Sequence, residues 1–257
     1  MSHLNFVPCV PDKPEQGQCP KHGAFDFRYQ AMGDRFVVLS ACSLCAAESA
    51  ALQKKIDQQA AAKAAQARLE RSRIDAGVPI RFLQATFSSY KVDSQDQALA
   101  LHETMEFTQR IKNGGNGNLI LSGRLGTGKT MLASAMVCDL IPEKKCRLAS
   151  LSSLVRELKD CWGKGSAMSE ASLIKQLSEL DLLIIDEVGQ QRGSETEILF
   201  VSDVIDGRYK NMLPTVLISN LDKTGIREAI GDRAFDRLRQ DGGKVVAFNW
   251  GSMRSAI

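Results

Sequence analysis

Gly123-Arg124-Leu125-Gly126-Thr127-Gly128-Lys129-Thr130 fits G-x-x-x-x-G-K-[ST] at every fixed position. These residue types serve one chemistry. Glycines let a loop fold so that successive amide N–H groups point inward at an anion. A following helix adds the positive end of its dipole. Lys129 then supplies a cation for the β- and γ-phosphates, and the Thr130 hydroxyl a ligand for Mg²⁺. Gly123, Gly126, Thr127, Gly128, Lys129 and Thr130 are therefore expected to cradle a triphosphate.

A second element is Leu182-Leu183-Ile184-Ile185-Asp186-Glu187, an apolar run ending in two acids. A buried strand of this kind delivers carboxylates to the sheet edge where ligands bind. Asp186 is expected to hold Mg²⁺, and Glu187 to polarise the attacking water. Asn220 follows another apolar run and could meet the γ-phosphate or that water. Arg233 and Arg237 are four apart, so they share one face of a helix. Asp232 and Asp236 stand ready to neutralise them as a solvated face.

Cys19-Pro20-Lys21-His22 and Cys42-Ser43-Leu44-Cys45 form C-x2-H…C-x2-C, the ligand pattern of a structural zinc ribbon. Four protein ligands (Cys19, His22, Cys42, Cys45) leave no open position, so the expected zinc is structural. Phe25, Phe27, Phe36, Val37, Val38 and Leu39 supply a small hairpin core around Gly33-Asp34. Cys9 is an alternative to His22.

The elements that must position these groups are legible in three zones. Residues 1–45 are loop-rich and hold four of the seven cysteines. Residues 46–76 are rich in Ala, Gln, Lys and Arg and read as a solvated linker helix. From residue 77 onward, apolar runs at 118–122, 147–150, 182–186, 215–219 and 245–249 alternate with helical stretches. Those stretches are 95–112, 129–140, 151–162, 169–180, 195–209 and 233–240. This alternation predicts an α/β fold, a five-stranded parallel sheet flanked by helices. The 257 residues carry a net charge of +3, which permits nucleic-acid binding without arguing for it. There is no apolar run long enough to span a membrane and no signal-peptide pattern, so a cytoplasmic protein is expected.

Taken together these residues resemble the DnaC/IstB group of AAA+ P-loop ATPases, and more closely the DnaC-type replicative helicase loaders. The resemblance rests on residues 76–87, on 181–194, on Gly231-Asp232-Arg233-Ala234-Phe235-Asp236-Arg237-Leu238-Arg239, and on Phe248-Asn249-Trp250-Gly251-Ser252-Met253-Arg254-Ser255. It implies an ATPase that binds ATP or ADP with Mg²⁺. It also implies an oligomer that forms with ATP on a hexameric helicase and helps place it on single-stranded DNA. By resemblance Asp186 and Glu187 are the Walker B pair, Asn220 is sensor 1, Arg233 or Arg237 is the arginine finger and Arg254 senses phosphate. Residues 192–196, with Ser194 best matched, correspond to a DNA-contacting loop. Thr196 departs from the aromatic residue that base stacking favours. Eight residues follow Asn249, too few for a C-terminal helical lid, so closure over the nucleotide is expected from residues 77–90 or a neighbouring subunit. Two other functions share this core: an IstB-like transposition helper and a nucleotide-switched adaptor for which hydrolysis is incidental.

Overall fold

The computed structural model describes residues 5–13, 15–163, 165–190 and 194–253. The chain divides into two compact units, Met1–Ala67 and Arg68–Ile257.

The first unit is built from short antiparallel strands: β1 (Phe6–Val7), β2 (Gln16–Cys19), β3 (Gly23–Asp26), β4 (Arg28–Met32) and β5 (Arg35–Leu39). β2 and β3 form one hairpin, and β4 and β5 another, with β1 added beside β5. The predicted turn at Gly33-Asp34 joins β4 to β5, and Gly33 takes φ +62°, which a side chain would resist. Of the apolar residues expected in this core only Val37 is fully buried, joined by Cys19 and Cys42. So small an apolar interior cannot hold the unit together without a further link.

Helix α1 (Ser43–Asp75), most of which belongs to the first unit, runs for 33 residues and has no buried residue. It starts three residues earlier than its composition suggests. Cys45 thus sits in the first helical turn instead of in the preceding loop.

The second unit carries a parallel sheet of β6 (Leu119–Gly123), β7 (Cys146–Ser150), β8 (Leu182–Val188), β9 (Thr215–Ser219) and β10 (Lys244–Phe248), in the order β10-β6-β9-β8-β7. Successive side chains along these strands face opposite ways. Leu119 and Leu121 join one core with Leu182, Ile184, Val216 and Ile218. Ile120 joins the other with Leu183, Ile185 and Leu217.

The helices of this unit are α2 (Gln95–Lys112), α3 (Lys129–Leu140), α4 (Leu151–Cys161), α5 (Glu170–Ser178), α6 (Glu195–Lys210), α7 (Lys223–Ile230) and α8 (Asp232–Arg239). α2 and α3 cover the first core, through Ala100, Phe107, Leu132 and Met136. The other five cover the second, through Leu158, Leu177, Val204, Ile226 and Phe235 among others. The predicted elements therefore form with shifts of one or two residues at their ends, and α7 is an addition. Among the described residues no helix follows β10. None is long and apolar enough to cross a membrane.

Strand order places the site. β6 leads through α3 to β7 at one edge, and β9 leads through α7 and α8 to β10 at the other. The chain thus parts in opposite directions between β6 and β9, which opens a crevice beyond their carboxyl ends. β9 lies between β6 and β8.

Arg208 in α6 is a fully buried cation in the second unit. It donates to the carbonyls of Leu177 (2.6 Å) and Pro214 (2.5 Å) and to the Thr215 hydroxyl (3.0 Å), tying α5, α6 and β9 together. Burial pulls its pKa down to about 9.

Candidate nucleotide and metal sites

The loop between β6 and α3 is held in a conformation that side chains resist. Gly126 and Gly128 take φ +77° and +92°, in the left-handed region. Gly126, Thr127, Gly128, Lys129 and Thr130 line a cleft of about 860 Å³, together with Asp186, Glu187 and Asn220. Gly123 lies one step behind it, at the end of β6, paired with Phe248. The lining also includes Gly77, Pro79, Arg81, Phe82, Ser89 and Lys91. This is the segment expected to close over a nucleotide.

Within the cleft, Lys129 Nζ donates to the carbonyls of Gly123 and Arg124, both at 2.6 Å. Burial pulls its pKa down to about 8, opposed by the nearby charge of Asp186. The Thr130 hydroxyl donates to Asp186 Oδ2 at 2.8 Å, and the Glu187 amide to Oδ1 at 2.7 Å. Burial raises the Asp186 pKa, and these two hydrogen bonds oppose it. A hydroxyl and a carboxylate side by side are hard oxygen donors of the kind Mg²⁺ prefers, so Thr130 and Asp186 fit that ion.

Glu187 takes φ +61°, and the β8–β9 register shifts between Ile185 and Val188. Simple alternation would turn Glu187 toward the core that holds Ile185. The irregularity gives that place to Val188 and leaves Glu187 exposed at the cleft. Asn220 stands at the tip of β9, between the two acids and the phosphate loop. Ser219 beside it is tied to the Val188 carbonyl at 2.7 Å.

Arg233 and Arg237 do not line this cleft. Both turn to Asp206 of α6, Arg233 at 3.1 Å and Arg237 in closer contact. The Arg233 side chain is 70% exposed, whereas that of Arg237 is 14% exposed and lies against the Tyr209 ring. The acids expected beside them, Asp232 and Asp236, pair with Arg227 instead. Sequence reasoning missed Asp206, because its pairing links helices far apart in the chain. Residue Arg254 and the loop residues Gln191, Arg192 and Gly193 lie outside the described residues. Ser194 caps α6 by accepting from the Glu197 amide at 3.3 Å. Glu195 and Glu197 stand in that first turn, and Glu197 pairs with Lys159 at 3.4 Å.

A family model described as IstB-like ATP binding protein matches residues 43–255. The chain belongs to this family. The replicative helicase loader DnaC of Escherichia coli (strain K12) is 31% identical to it over 173 residues, 67% of this chain and 70% of the relative. DnaC of Buchnera aphidicola subsp. Acyrthosiphon pisum is 31% identical over 182 residues, 70% of this chain and 74% of the relative. A crystal structure of the DnaC helicase loader shares the fold, with TM-score 0.57 at 19% identity over 66% of this chain and 99% of that one. The fold of this IstB-like chain is therefore of the AAA+ type. The family match starts at Ser43, so β1–β5 are additional to it.

Those added residues carry most of the other site. Cys19, His22, Cys42 and Cys45 offer ligand atoms that all lie within 4.8 Å of one another. Cys19 and Cys45 sulfurs are 3.4 Å apart, and His22 Nδ1 is 3.3–3.7 Å from the three sulfurs. Tetrahedral zinc with ordinary bond lengths needs about 3.8 Å between sulfurs and about 3.5 Å from sulfur to nitrogen. The donor set fits zinc. Cys9 is exposed and not in the cluster, so His22 is the fourth donor. Backbone amides of Lys21 and His22 pull the Cys19 thiol down to about 6, toward the thiolate a metal requires. His22 Nε2 faces Glu48 Oε1 at 3.3 Å, and Lys21 Nζ holds the same carboxylate at 2.5 Å. A carboxylate on the outer nitrogen fixes the imidazole so that Nδ1 faces inward.

Proposed function

We propose that this chain is an ATP-dependent loader that binds a hexameric replicative helicase and helps place it on single-stranded DNA in the cytoplasm. The observation that carries this reading is the similarity to DnaC loaders over 70–74% of their length, beside a family match over residues 43–255 that spans the whole nucleotide cleft. ATP lies with its phosphates on the 123–130 loop, where Lys129 contacts them. Thr130 and Asp186 would hold Mg²⁺, which would neutralise phosphate charge. Glu187 orients and polarises the attacking water, and Asn220 fixes the γ-phosphate end. Arg254, beyond the described residues, is kept as the phosphate-sensing arginine. We divide the chain into a zinc module (1–45), a helical linker (46–76) and the ATPase (77–257).

Neither finger candidate lines the cleft of its own chain. We assign that role to Arg233 of a neighbouring subunit, because its side chain reaches solvent, while Arg237 anchors α8 to α6. Arg233→Ala is expected to keep ATP affinity and to lose DNA-stimulated turnover by about 10³-fold. Mixing it with Lys129→Ala subunits should restore part of the activity, since each supplies what the other lacks. Loss of turnover that no mixing restores removes Arg233 from a role across the interface.

The zinc module is assigned to docking on the helicase, because its strands stand outside the ATPase family match. Purified chain is expected to contain one zinc per molecule by elemental analysis. Cys42→Ser should lose that zinc and helicase co-purification while keeping ATP affinity. Retained helicase binding without zinc would reject the docking role. Co-purification with the host hexameric helicase, with and without ATP, tests the whole reading. Capture of a transposase instead would favour the IstB-like transposition helper.

A further inference from the structure

The bare faces of the phosphate-loop glycines are turned toward neighbouring chain. A Cβ on Gly123 would meet the Phe248 carbonyl oxygen at 2.3 Å. On Gly126 it would meet Ser252 Oγ at 2.2 Å, and on Gly128 the Tyr90 ring at 2.5 Å. These glycines therefore admit a second layer of chain against the back of the loop. That layer is the segment after β10 together with Tyr90.

The same layer takes the loop's outer carbonyls. Tyr90 Oη and Trp250 Nε1 both donate to the Thr127 carbonyl, at 3.0 and 3.2 Å. The Met253 amide donates to the Gly126 carbonyl at 2.8 Å, and the Arg124 amide donates to the Phe248 carbonyl at 3.0 Å. Tyr90 is buried, and that burial pushes its pKa up to about 12, so it stays a donor at neutral pH. The Trp250 ring lies 4.8 Å from that of Phe248 in β10, which fixes its position along the loop.

In a trans peptide the C=O and the following N–H point in opposite directions. Holding the Gly126 carbonyl outward therefore turns the Thr127 amide inward. Holding the Thr127 carbonyl outward does the same for the Gly128 amide. Both residues line the cleft. We propose that Tyr90 and Trp250 are positioning residues that aim the Thr127 and Gly128 amides at the nucleotide phosphates, with the 249–253 segment as a brace behind the loop. This rests on the reading of the cleft as a nucleotide site and deepens it. Met253 of the brace also lines the cleft, whereas Tyr90 and Trp250 act through the Thr127 carbonyl to give the bound nucleotide a preorganised set of donors.

Tyr90→Phe and Trp250→Phe each remove one donor and keep a ring in place. Each is expected to weaken ATP binding by about fivefold, and the pair together by about 30-fold, in calorimetric titrations. The thermal midpoint without nucleotide should stay within a few degrees of the parent. Trp162 is exposed and bonded to Glu170, so Trp162→Phe leaves Trp250 as the sole tryptophan reporter. Its emission should shift on adding ATP and Mg²⁺. A double variant that binds ATP as tightly as the parent overturns the brace and leaves the nucleotide reading standing. A parent that binds no ATP sinks both. An equal fall in stability and affinity, with no change in Trp250 emission, reduces these residues to packing and also rejects the proposal.

Discussion

Lys129→Ala is expected to bind ATP at least 100-fold more weakly than the parent chain. The Lys129 ammonium now rests on two neutral carbonyls, those of Gly123 and Arg124. Phosphate oxygens are anionic, and charge-assisted hydrogen bonds are roughly twice as strong as neutral ones. Losing two of them costs about 3–5 kcal/mol, which is at least two orders of magnitude in affinity. The chain should still fold, because the loop glycines, β6 and α3 keep their packing. pH supplies a second readout. Lys129 titrates at about 8, so its charged form dominates below that value and is lost above it. Phosphate contact favours the charged form, so binding takes up a proton in alkaline solution. ATP affinity should hold between about pH 7 and 8 and fall by up to about tenfold per pH unit above 8. The alkaline fall should be absent in Lys129→Ala. Calorimetry at several pH values measures both, and an affinity within threefold of the parent would place the triphosphate elsewhere.

What the sequence made legible was local. The phosphate loop, the acid pair and the two metal knuckles each lie within eight consecutive residues, and backbone geometry over that length follows from residue type. The central strands were legible because burial on both faces leaves near-continuous apolar runs. What escaped notice depended on distant contacts. α7 contains Gly225, which weakens a helical reading, yet Ile226 and Ile230 bury one face and Asp222 caps its start. Asp206 is an ordinary acid on a helix until α8 brings Arg233 and Arg237 against it. The glycines of the phosphate loop were legible as turn formers. Their second task, admitting Tyr90 and Ser252 behind the loop, depends on the pairing of β10 with β6.

Glu187→Gln is expected to bind ATP within about threefold of the parent while turnover falls by about 10²–10³-fold. Glu187 stands at a break in β8 where φ is +61°. A non-glycine residue there costs roughly 1 kcal/mol or more, and such strain persists where surrounding structure enforces it. Here Val188 enforces it by filling the core position that Glu187 would otherwise occupy, and Asp186 accepts the Glu187 amide at 2.7 Å. Glutamine has the same shape and can hold the same backbone, so the fold and the phosphate contacts should survive. It cannot accept a proton as a carboxylate does, and removing a general base of this kind costs about 10²–10⁴-fold. Single-turnover phosphate release, measured beside ATP affinity, separates the two effects. Loss of binding and turnover together would make Glu187 part of the nucleotide cradle. Unchanged turnover would remove it from the reaction. If turnover is lost while the variant still supports full helicase loading in cells, the nucleotide acts as a switch and hydrolysis is incidental, because binding alone then carries the conformational signal.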